Sequence, residues 1–93
     1  MSFKMLRYIV AAARTGHFGQ AARLCNVTQP SLSEQIKKLE EYLDIRIFER
    51  TRSGVEVTEP GRRIVAMAEE ALVIERCIKA ASPRFNEDCP YAW

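Results

Sequence analysis

Four uncharged polar side chains lie close together in the segment NVTQPSLSEQIKKLEEYL, residues 26–43, and they are well suited to recognising a ligand. They are Gln29, Ser31, Ser33 and Gln35. A glutamine amide donates and accepts hydrogen bonds, so it can pair with the edge of an adenine base, and a serine hydroxyl can bond a base edge or a phosphate oxygen. A solvated helix start contains the same residue types, so their role depends on the elements around them.

Other kinds of chemistry have little support in the chain. No nucleophile stands beside a recognisable general base, so the sequence predicts a protein that is not an enzyme. His17 has no second residue at metal-ligand spacing, which favours a structural or phosphate-adjacent role, and no metal or other cofactor is expected. Cys25 has small neighbours and is interpreted as a core residue rather than a reactive thiol.

A helix that begins at about residue 29 would position the polar side chains. Thr28 is suited to accept a hydrogen bond from the amide of Ser31, and Pro30 fits the first turn, where no intrahelical donor is needed. Asp44 stands where the helix must end, because aspartate tolerates left-handed backbone better than most residues do. The buried stripe of this helix is predicted from apolar residues on one face, which are Leu32, Ile36, Leu39 and Leu43.

Two helices are predicted before this one. The first covers SFKMLRYIVAAART, with Ser2 as its N-cap and Gly16 as its stop signal. Its apolar residues at helical spacing are Phe3, Leu6, Ile9, Val10 and Ala13. The second is the short segment GQAARLC, bounded by Gly19 and Asn26. Its small and apolar residues favour a close crossing with another helix, and they are Ala21, Ala22, Leu24 and Cys25.

Two short strands and a long helix are predicted after it. IRIFER and VEVT, joined by the turn sequence TRSG, predict a hairpin with Ile45, Ile47, Val55 and Val57 facing inward. Thr58 begins a helix that meets no breaker until about Ala81. At roughly 23 residues, or about 34 Å, this helix is longer than one small domain needs. Its apolar stripe could fold back on its own domain, but its length favours contact with a second copy through Ile64, Val65, Ala68, Ala71, Leu72 and Ile78.

Composition and charge fit one small domain. The chain has 93 residues, of which 47% are hydrophobic and 28% charged, and a formal net charge of +2. Residues 1–63 contain 11 Lys and Arg against 7 Asp and Glu, whereas residues 64–93 contain 3 against 5. The basic excess therefore belongs to the first two thirds, where it permits nucleic-acid binding without establishing it.

Cysteine usage and hydropathy indicate the compartment. Cys25, Cys77 and Cys89 are odd in number, widely spaced and without a CxxC pair, so neither a disulfide framework nor a zinc site is predicted. No apolar run is long enough to cross a membrane, and no signal peptide is recognisable. A reducing cytoplasm is the expected setting.

Two short helices joined by the tight turn NVT, the second with a neutral polar tip beside basic residues, are typical of a helix-turn-helix that enters the major groove of DNA. On this interpretation Arg52, in the turn of the hairpin, reaches a neighbouring minor groove, where the negative potential is high. Four other basic residues would contact phosphates, and they are Arg14, Lys37, Lys38 and Arg50.

Residues 3 to about 80 resemble the N-terminal DNA-binding region of LysR-type bacterial transcriptional regulators. The likeness is carried by RYIVAAARTGHFGQAA, VTQPSLSEQIKKLE, IFERTRSGVEVTEPG and the long helix that follows, and HFGQAARLCNVTQPSLS is similar to the peroxide-responsive OxyR-like branch. The resemblance implies a mainly α-helical fold, in which a winged helix-turn-helix with a three-helix core and a two-stranded β wing precedes a long linker helix. It also implies that Thr28 caps the helix and contacts a phosphate, and that Arg52 in the wing contacts DNA. The base contacts that it implies are Gln29, Pro30, Ser31, Ser33 and Gln35.

The resemblance divides the chain into a DNA-binding domain at 1–58 and a dimerisation helix at 59–82. Residues 83–93 show no periodicity and are expected to form a poorly ordered tail. The family's effector-binding domain is absent from this sequence, so no small-molecule ligand is expected. Gly19 stands where relatives usually have a Ser or Thr cap, and Glu34 stands where many have a basic residue, which should reduce phosphate affinity.

The expected function is transcription regulation by a homodimer or tetramer that binds an interrupted inverted repeat in double-stranded DNA through helix 29–43. The alternative is an interaction protein that pairs through its long helix with a full-length regulator and blocks it.

Overall fold

The computed structural model describes residues 1–91, which form four helices and one two-stranded antiparallel sheet. Residues 92 and 93, the end of the predicted tail, lie outside the described residues. No helix in the described range combines the length and apolar character needed to cross a membrane. The predicted mainly α-helical fold is confirmed, and its elements are α1 (Phe3–Thr15), α2 (Phe18–Leu24), α3 (Gln29–Leu43), β1 (Phe48–Thr51), β2 (Gly54–Val57) and α4 (Glu59–Ala80).

The predicted boundaries of α1, α3 and α4 follow from local side-chain and backbone chemistry. In each helix a hydroxyl accepts a hydrogen bond of 3.0–3.3 Å from the amide three residues on, and the three caps are Ser2, Thr28 and Thr58. α1 ends at Gly16 and α3 ends at Asp44, whose φ angles of 73° and 54° are both left-handed. These starts and stops are confirmed.

The start of α2 differs from the prediction. Its N-cap is His17 rather than Gly19, because His17 has an extended backbone and its carbonyl accepts the first helical bond from the amide of Ala21 at 2.9 Å. Gly19 therefore lies inside the helix. Ala21 is buried as predicted, whereas Leu24 is 70% exposed and takes no part in the close crossing.

The core lies between the first three helices and the hairpin. In α1 the buried face includes Tyr8, whereas Phe3, the first helical residue, is 41% exposed, contrary to the prediction. The predicted stripe of α3 is buried except for Leu43, which is half-buried. The largest fully buried side chains are Ile9, Leu32, Ile36, Leu39 and Ile47.

One carboxylate attaches the hairpin to α3. Glu40 Oε2 accepts hydrogen bonds from the amides of Ile47 at 2.7 Å and Phe48 at 3.1 Å. The amide of Ile45 bonds the carbonyl of Glu40 at 3.1 Å. Because the amides of Ile45 and Ile47 donate hydrogen bonds to α3, β1 begins at Phe48 rather than at Ile45, and Phe48 pairs with Val57 in the antiparallel register.

The hairpin also contacts the end of α1 at very short range. The amide of Val55 donates to the carbonyl of Gly16 at 2.8 Å. Gly54 has a φ of 148°, and a Cβ atom at this position would lie 2.0 Å from the Gly16 carbonyl oxygen. Only glycine fits there, so this close approach fixes the hairpin against the start of the helix-turn-helix.

α4 packs along α1 with the same stripe that was predicted to contact a second copy. Val65 and Ala68 are buried at 7% and 2% exposure within the single chain. Arg7 Nη1 of α1 also lies 3.0 Å from Glu75 Oε1 of α4. Within the single chain, α1 and the core therefore cover Val65 and Ala68, and their contact with a second copy stays a prediction.

The residues after α4 turn back along the helix and are bonded to it. A disulfide joins Cys77 of α4 to Cys89, although the number and spacing of the cysteines predicted no disulfide framework. The two cysteines are 12 residues apart and meet because the chain reverses direction after the helix. Further along, the hydroxyl of Tyr91 donates a hydrogen bond to the carboxylate of Glu70.

Candidate nucleic-acid interface

The polar tip of α3 faces outward because of the phase of the helix. The apolar stripe is buried against the core, so the opposite face of the first two turns is turned away from it. The first turn contains no acidic residue, which leaves the positive end of the helix dipole uncompensated. The predicted base-contacting residues of this tip are all accessible, since Gln29, Pro30 and Ser31 are exposed and Ser33 and Gln35 are half-buried.

A groove of about 620 Å³ lies between α2, the tip of α3 and the hairpin turn. We term it the basic groove, because Arg23, Arg50, Arg52 and His17 line it and none of its lining residues is Asp or Glu. Gln29 lines the same groove, so the helix tip and the hairpin turn face one space. Guanidinium groups without a neighbouring carboxylate produce a positive potential that attracts a polyanion.

A second groove, of about 660 Å³, lies between α3 and the hairpin. Arg50 lines both grooves. Charges of both signs line this second groove, which makes it less suited to a polyanion. Its cations are Lys37, Arg46 and Arg50, and its acidic residues are Glu40, Glu41, Asp44 and Glu49.

Two of the predicted phosphate-contacting cations are paired with carboxylates on the surface. Arg14 Nη2 lies 3.5 Å from Glu69 Oε2, and Lys38 Nζ lies 3.8 Å from Glu34 Oε1. Lys37 is exposed and lines the second groove. Arg14 and Lys38 must leave their partners before they can bind a phosphate with all their donors.

Arg50 is held by an aromatic ring instead. Its guanidinium carbon lies 5.5 Å from the centroid of the Phe18 ring. Phe18 in turn meets Phe48 edge to face, with ring centroids 5.7 Å apart and an interplanar angle of 87°. Among residues 1–91, no ion pair within 4.0 Å involves Arg50, so its N–H donors are not paired with a carboxylate.

Three residues of this surface were not predicted from the sequence. Arg23 and Gln20 line the basic groove, and the inward-facing Ala21 could have indicated that these exposed neighbours point outward. Phe18 was named only as part of a motif. No sequence signal predicts its contact with Arg50, because that contact depends on how the hairpin returns to α2.

The remaining predicted interface residues of α4 lie on different sides of the helix. Ile64 and Leu72 are half-buried and pack against the core of the chain. Ile78 is 64% exposed, and two further apolar residues of α4 are exposed, Met67 at 60% and Ile74 at 36%.

Four apolar residues of α4 form one accessible strip. At 100° per residue they fall within about 60° of one another, and we term this surface the α4 strip. Its members are Met67, Ala71, Ile74 and Ile78.

Cys25 has an environment that suits packing. Its Sγ lies 3.9 Å from the carbonyl oxygen of Arg7, and it is a free thiol. Burial raises the pKa of the Cys25 thiol, and the nearby charge of Arg7 offsets only part of that rise. The thiol therefore has less thiolate character than an exposed cysteine has at the same pH.

Comparison with known proteins gives one family. Residues 3–62 match the family described as "Bacterial regulatory helix-turn-helix protein, lysR family". The HTH-type transcriptional regulator BudR of Klebsiella aerogenes is 43% identical over 79 residues, an alignment that covers 77% of this chain and 55% of BudR. This chain therefore spans about half the length of that relative.

Solved structures give the same result. A full-length OxyR variant from Pseudomonas aeruginosa has a TM-score of 0.83 and 46% sequence identity, and the match covers 87% of this chain and 28% of the OxyR chain. The crystal structure of a complex of BenM_DBD with benA site 1 DNA has a TM-score of 0.83 and 33% identity. That match covers 90% of this chain and 94% of the other.

Proposed function

Because this chain belongs to the lysR family of bacterial regulatory helix-turn-helix proteins, we propose that it binds a specific site in double-stranded DNA as a dimer and regulates transcription there. The proposed site is an interrupted inverted repeat, with one half-site for each copy of α3. The observation that carries this proposal is that Gln29 at the helix tip and Arg52 at the hairpin turn line one groove free of acidic residues.

In this proposal α3 enters the major groove with its N-terminal end first. The buried stripe holds the helix to the core, so the tip is the part that can reach the base edges. Gln29 and Gln35 would pair with adenine through their amides, and Ser31 and Ser33 would bond base edges or phosphate oxygens. Pro30 would offer an apolar contact beside them.

The hairpin is proposed as a wing that follows the DNA beyond the major groove. Arg52, exposed in its turn, would enter the adjacent minor groove. The helix cap and the flanking cations would contact phosphates and so set the position of α3 on the duplex. These residues are Thr28, Arg14, Lys37, Lys38 and Arg50, to which the basic groove adds Arg23.

We propose that the α4 strip pairs two copies of the chain, in a homodimer or a tetramer. Met67, Ile74 and Ile78 are exposed apolar side chains on one side of a 22-residue helix. Pairing through a two-fold axis would turn the second α3 by 180°, which is why the proposed DNA site is an inverted repeat.

The test begins with selection of binding sites from random duplexes, followed by titration of the selected duplex at several salt concentrations. We expect an inverted repeat to be enriched. We also expect a steep fall of affinity with salt on a log–log plot, since several phosphates lose their counterions on binding. Equal affinity for the selected and a scrambled duplex would overturn the proposal.

A single substitution tests the role of the helix tip. We expect Gln29→Ala to weaken binding to the selected duplex by about 1–3 kcal/mol and to random DNA by much less, because a base-reading amide acts only on its own sequence. Fluorescence anisotropy on both duplexes measures this. Asn86→Ala removes an exposed amide from the tail and serves as the control, with affinity unchanged. Equal losses on both duplexes would exclude Gln29 from base reading.

A second candidate function uses the α4 strip alone. In this alternative the chain pairs with a full-length regulator of the same family and blocks it, an idea favoured by the exposed apolar side chains of the strip. Mixing the chain with such a regulator distinguishes the two functions. Loss of the regulator's DNA binding, together with little DNA binding by the chain alone, would favour the alternative.

We retain the proposed division into a DNA-binding domain at 1–58, a dimerisation helix at 59–82 and a tail at 83–93. The bacterial cytoplasm is the proposed location, because DNA is the proposed partner.

A further inference from the structure

We propose that Phe18 is a positioning residue for DNA binding, whose ring holds the guanidinium of Arg50 in place for a backbone phosphate. The proposal rests on the DNA-binding function proposed above and deepens it, since Phe18 itself would make no contact with the DNA. It assigns to one aromatic side chain the task of ordering a long and otherwise mobile cation before the ligand arrives.

The geometry around Phe18 is fixed from two sides. Phe48 and Arg50 are two residues apart in β1 and therefore lie on the same face of the strand. Phe18, the first residue of α2, contacts both of them. Because Phe48 is only 6% exposed, its edge-to-face contact fixes the Phe18 ring, and that ring gives Arg50 a defined surface to rest on.

A ring holds a guanidinium group in a way that a carboxylate cannot. The attraction comes from the face of the π system, so it leaves the positive charge uncompensated and uses none of the five N–H donors. Arg14 and Lys38, by contrast, would have to give up Glu69 and Glu34. Arg50 is therefore ordered in advance, and binding a phosphate costs it little of its side-chain freedom.

The position of Arg50 indicates which part of DNA it would meet. It lines both the basic groove, with Gln29 and Arg52, and the second groove, with Ser33 and Lys37. In the proposed complex α3 occupies the major groove and the wing reaches the minor groove. In DNA the sugar–phosphate backbone lies between the major groove and the minor groove. A backbone phosphate is therefore the group that Arg50 faces.

The test compares wild-type protein with Phe18→Leu, Phe18→Tyr, Arg50→Ala and the double variant Phe18→Leu/Arg50→Ala on the selected duplex. We expect Phe18→Leu to weaken binding about three- to tenfold and Phe18→Tyr to keep it within about twofold, because tyrosine retains the ring. Arg50→Ala should lower the log–log salt slope by about one. The double variant should bind no more weakly than Arg50→Ala alone, since Phe18 acts through Arg50.

A second cation–π pair within the described residues provides a matched control. Lys79 Nζ lies 5.6 Å from the ring centroid of Phe85, at the end of α4 away from the basic groove. Phe85→Leu removes the same kind of contact and should leave DNA affinity unchanged. Thermal unfolding of each variant separates a loss of fold from a loss of binding.

A measurement on the wild-type protein covers the case in which Phe18→Leu does not fold. The Arg50 side-chain protons should be shifted upfield in the NMR spectrum by the ring current of Phe18. Unshifted Arg50 protons would overturn the proposal, and so would losses that multiply in the double variant. If the wild type shows no preference for the selected duplex, the proposed function itself fails. If that preference and the Gln29→Ala result hold but Phe18→Leu has no effect, only the role of Phe18 is wrong.

Discussion

At the scale of single residues, the candidate interface separates side chains that are free to bind an anion from side chains that must first leave a partner. Arg50 and Arg52 line a groove without carboxylates. Arg14 and Lys38 each have a carboxylate within 4 Å, in surface pairs that are individually weak. We therefore expect the basic groove, rather than the ion-paired surface, to determine where phosphates bind most tightly.

Cys25 gives a prediction about pH at the same scale. Because burial raises the pKa of its thiol, the thiolate appears only at higher pH, and the rate of alkylation by iodoacetamide should rise at higher pH than it does for an exposed cysteine. Without reductant Cys77 and Cys89 are bonded to each other, so the rate reports on Cys25. Urea-unfolded protein is the control and should react faster at neutral pH. A folded protein that reacts as fast as the unfolded one would contradict the effect of burial.

At the scale of elements, the wing depends on two short contacts that hold it to helices. The carboxylate of Glu40 bonds the amides at the start of β1, and the Gly16 carbonyl bonds the amide at the start of β2. Both contacts join the hairpin to the helix-turn-helix, so they keep Arg52 at a fixed distance from the tip of α3.

Among the glycines, Gly54 is the one at which an added Cβ would make the shortest contact. We expect Gly54→Ala to lower the free energy of unfolding by about 2–4 kcal/mol, because the added Cβ would overlap the Gly16 carbonyl and would occupy an unfavourable backbone region. Urea titration measures the change, and DNA affinity should fall together with the fold.

Gly19→Ala is the matched control for Gly54→Ala, since it makes the same chemical change inside α2. Its Cβ would meet only the flexible end of Gln29, whose Oε1 lies 3.2 Å away. Stability should be unchanged or raised by up to about 1 kcal/mol, because alanine favours helix more than glycine does. If both variants lost the same stability, the close approach of Gly54 to Gly16 would not be the cause.

At the scale of the whole molecule, the α4 strip should decide the assembly state. We expect Ile78→Glu to raise the dimer dissociation constant by at least about tenfold, since a buried unpaired carboxylate opposes pairing. Sedimentation equilibrium measures this. Ile78 is 64% exposed in the single chain, so the fold should be unaffected. The inverted repeat should then be bound more weakly, and a single half-site as before.

Ala66→Glu is the control for this prediction. Ala66 is also exposed on α4, but it lies about 100° away from the centre of the α4 strip. A charge there should leave the dimer intact. An unchanged dimer in Ile78→Glu would place the pairing surface elsewhere.

The disulfide gives a second whole-molecule prediction. A dithiol reductant supplies two electrons and two protons and converts the bond between Cys77 and Cys89 into two thiols. We expect the free energy of unfolding to fall by about 2–3 kcal/mol, because the unfolded chain regains the freedom that the closed loop had removed. Thermal unfolding with and without reductant measures it. Cys89→Ser should abolish the response and Cys25→Ser should keep it, whereas a response that persists in Cys89→Ser would contradict the assignment.

The sequence alone determined the parts of this protein that depend on neighbours a few residues away. The caps at Ser2, Thr28 and Thr58 and the stop at Asp44 were predicted correctly, because a cap and a helix end form within one turn. The buried stripe of α3 was predicted because periodicity identifies an apolar face. Together with the motif likeness, these signals were enough to give the fold and the exposed tip of α3.

The tertiary structure decided what depends on residues distant in the chain. α4 has apolar residues on two sides, and periodicity cannot tell which side meets α1. Packing assigned Val65 and Ala68 to the core and left Met67, Ile74 and Ile78 outside. The contacts of Arg50 with Phe18 and of Cys77 with Cys89 form only when separate segments meet in space. Interactions between near neighbours determine the secondary structure of each segment. Packing of the whole chain determines which other segment it contacts.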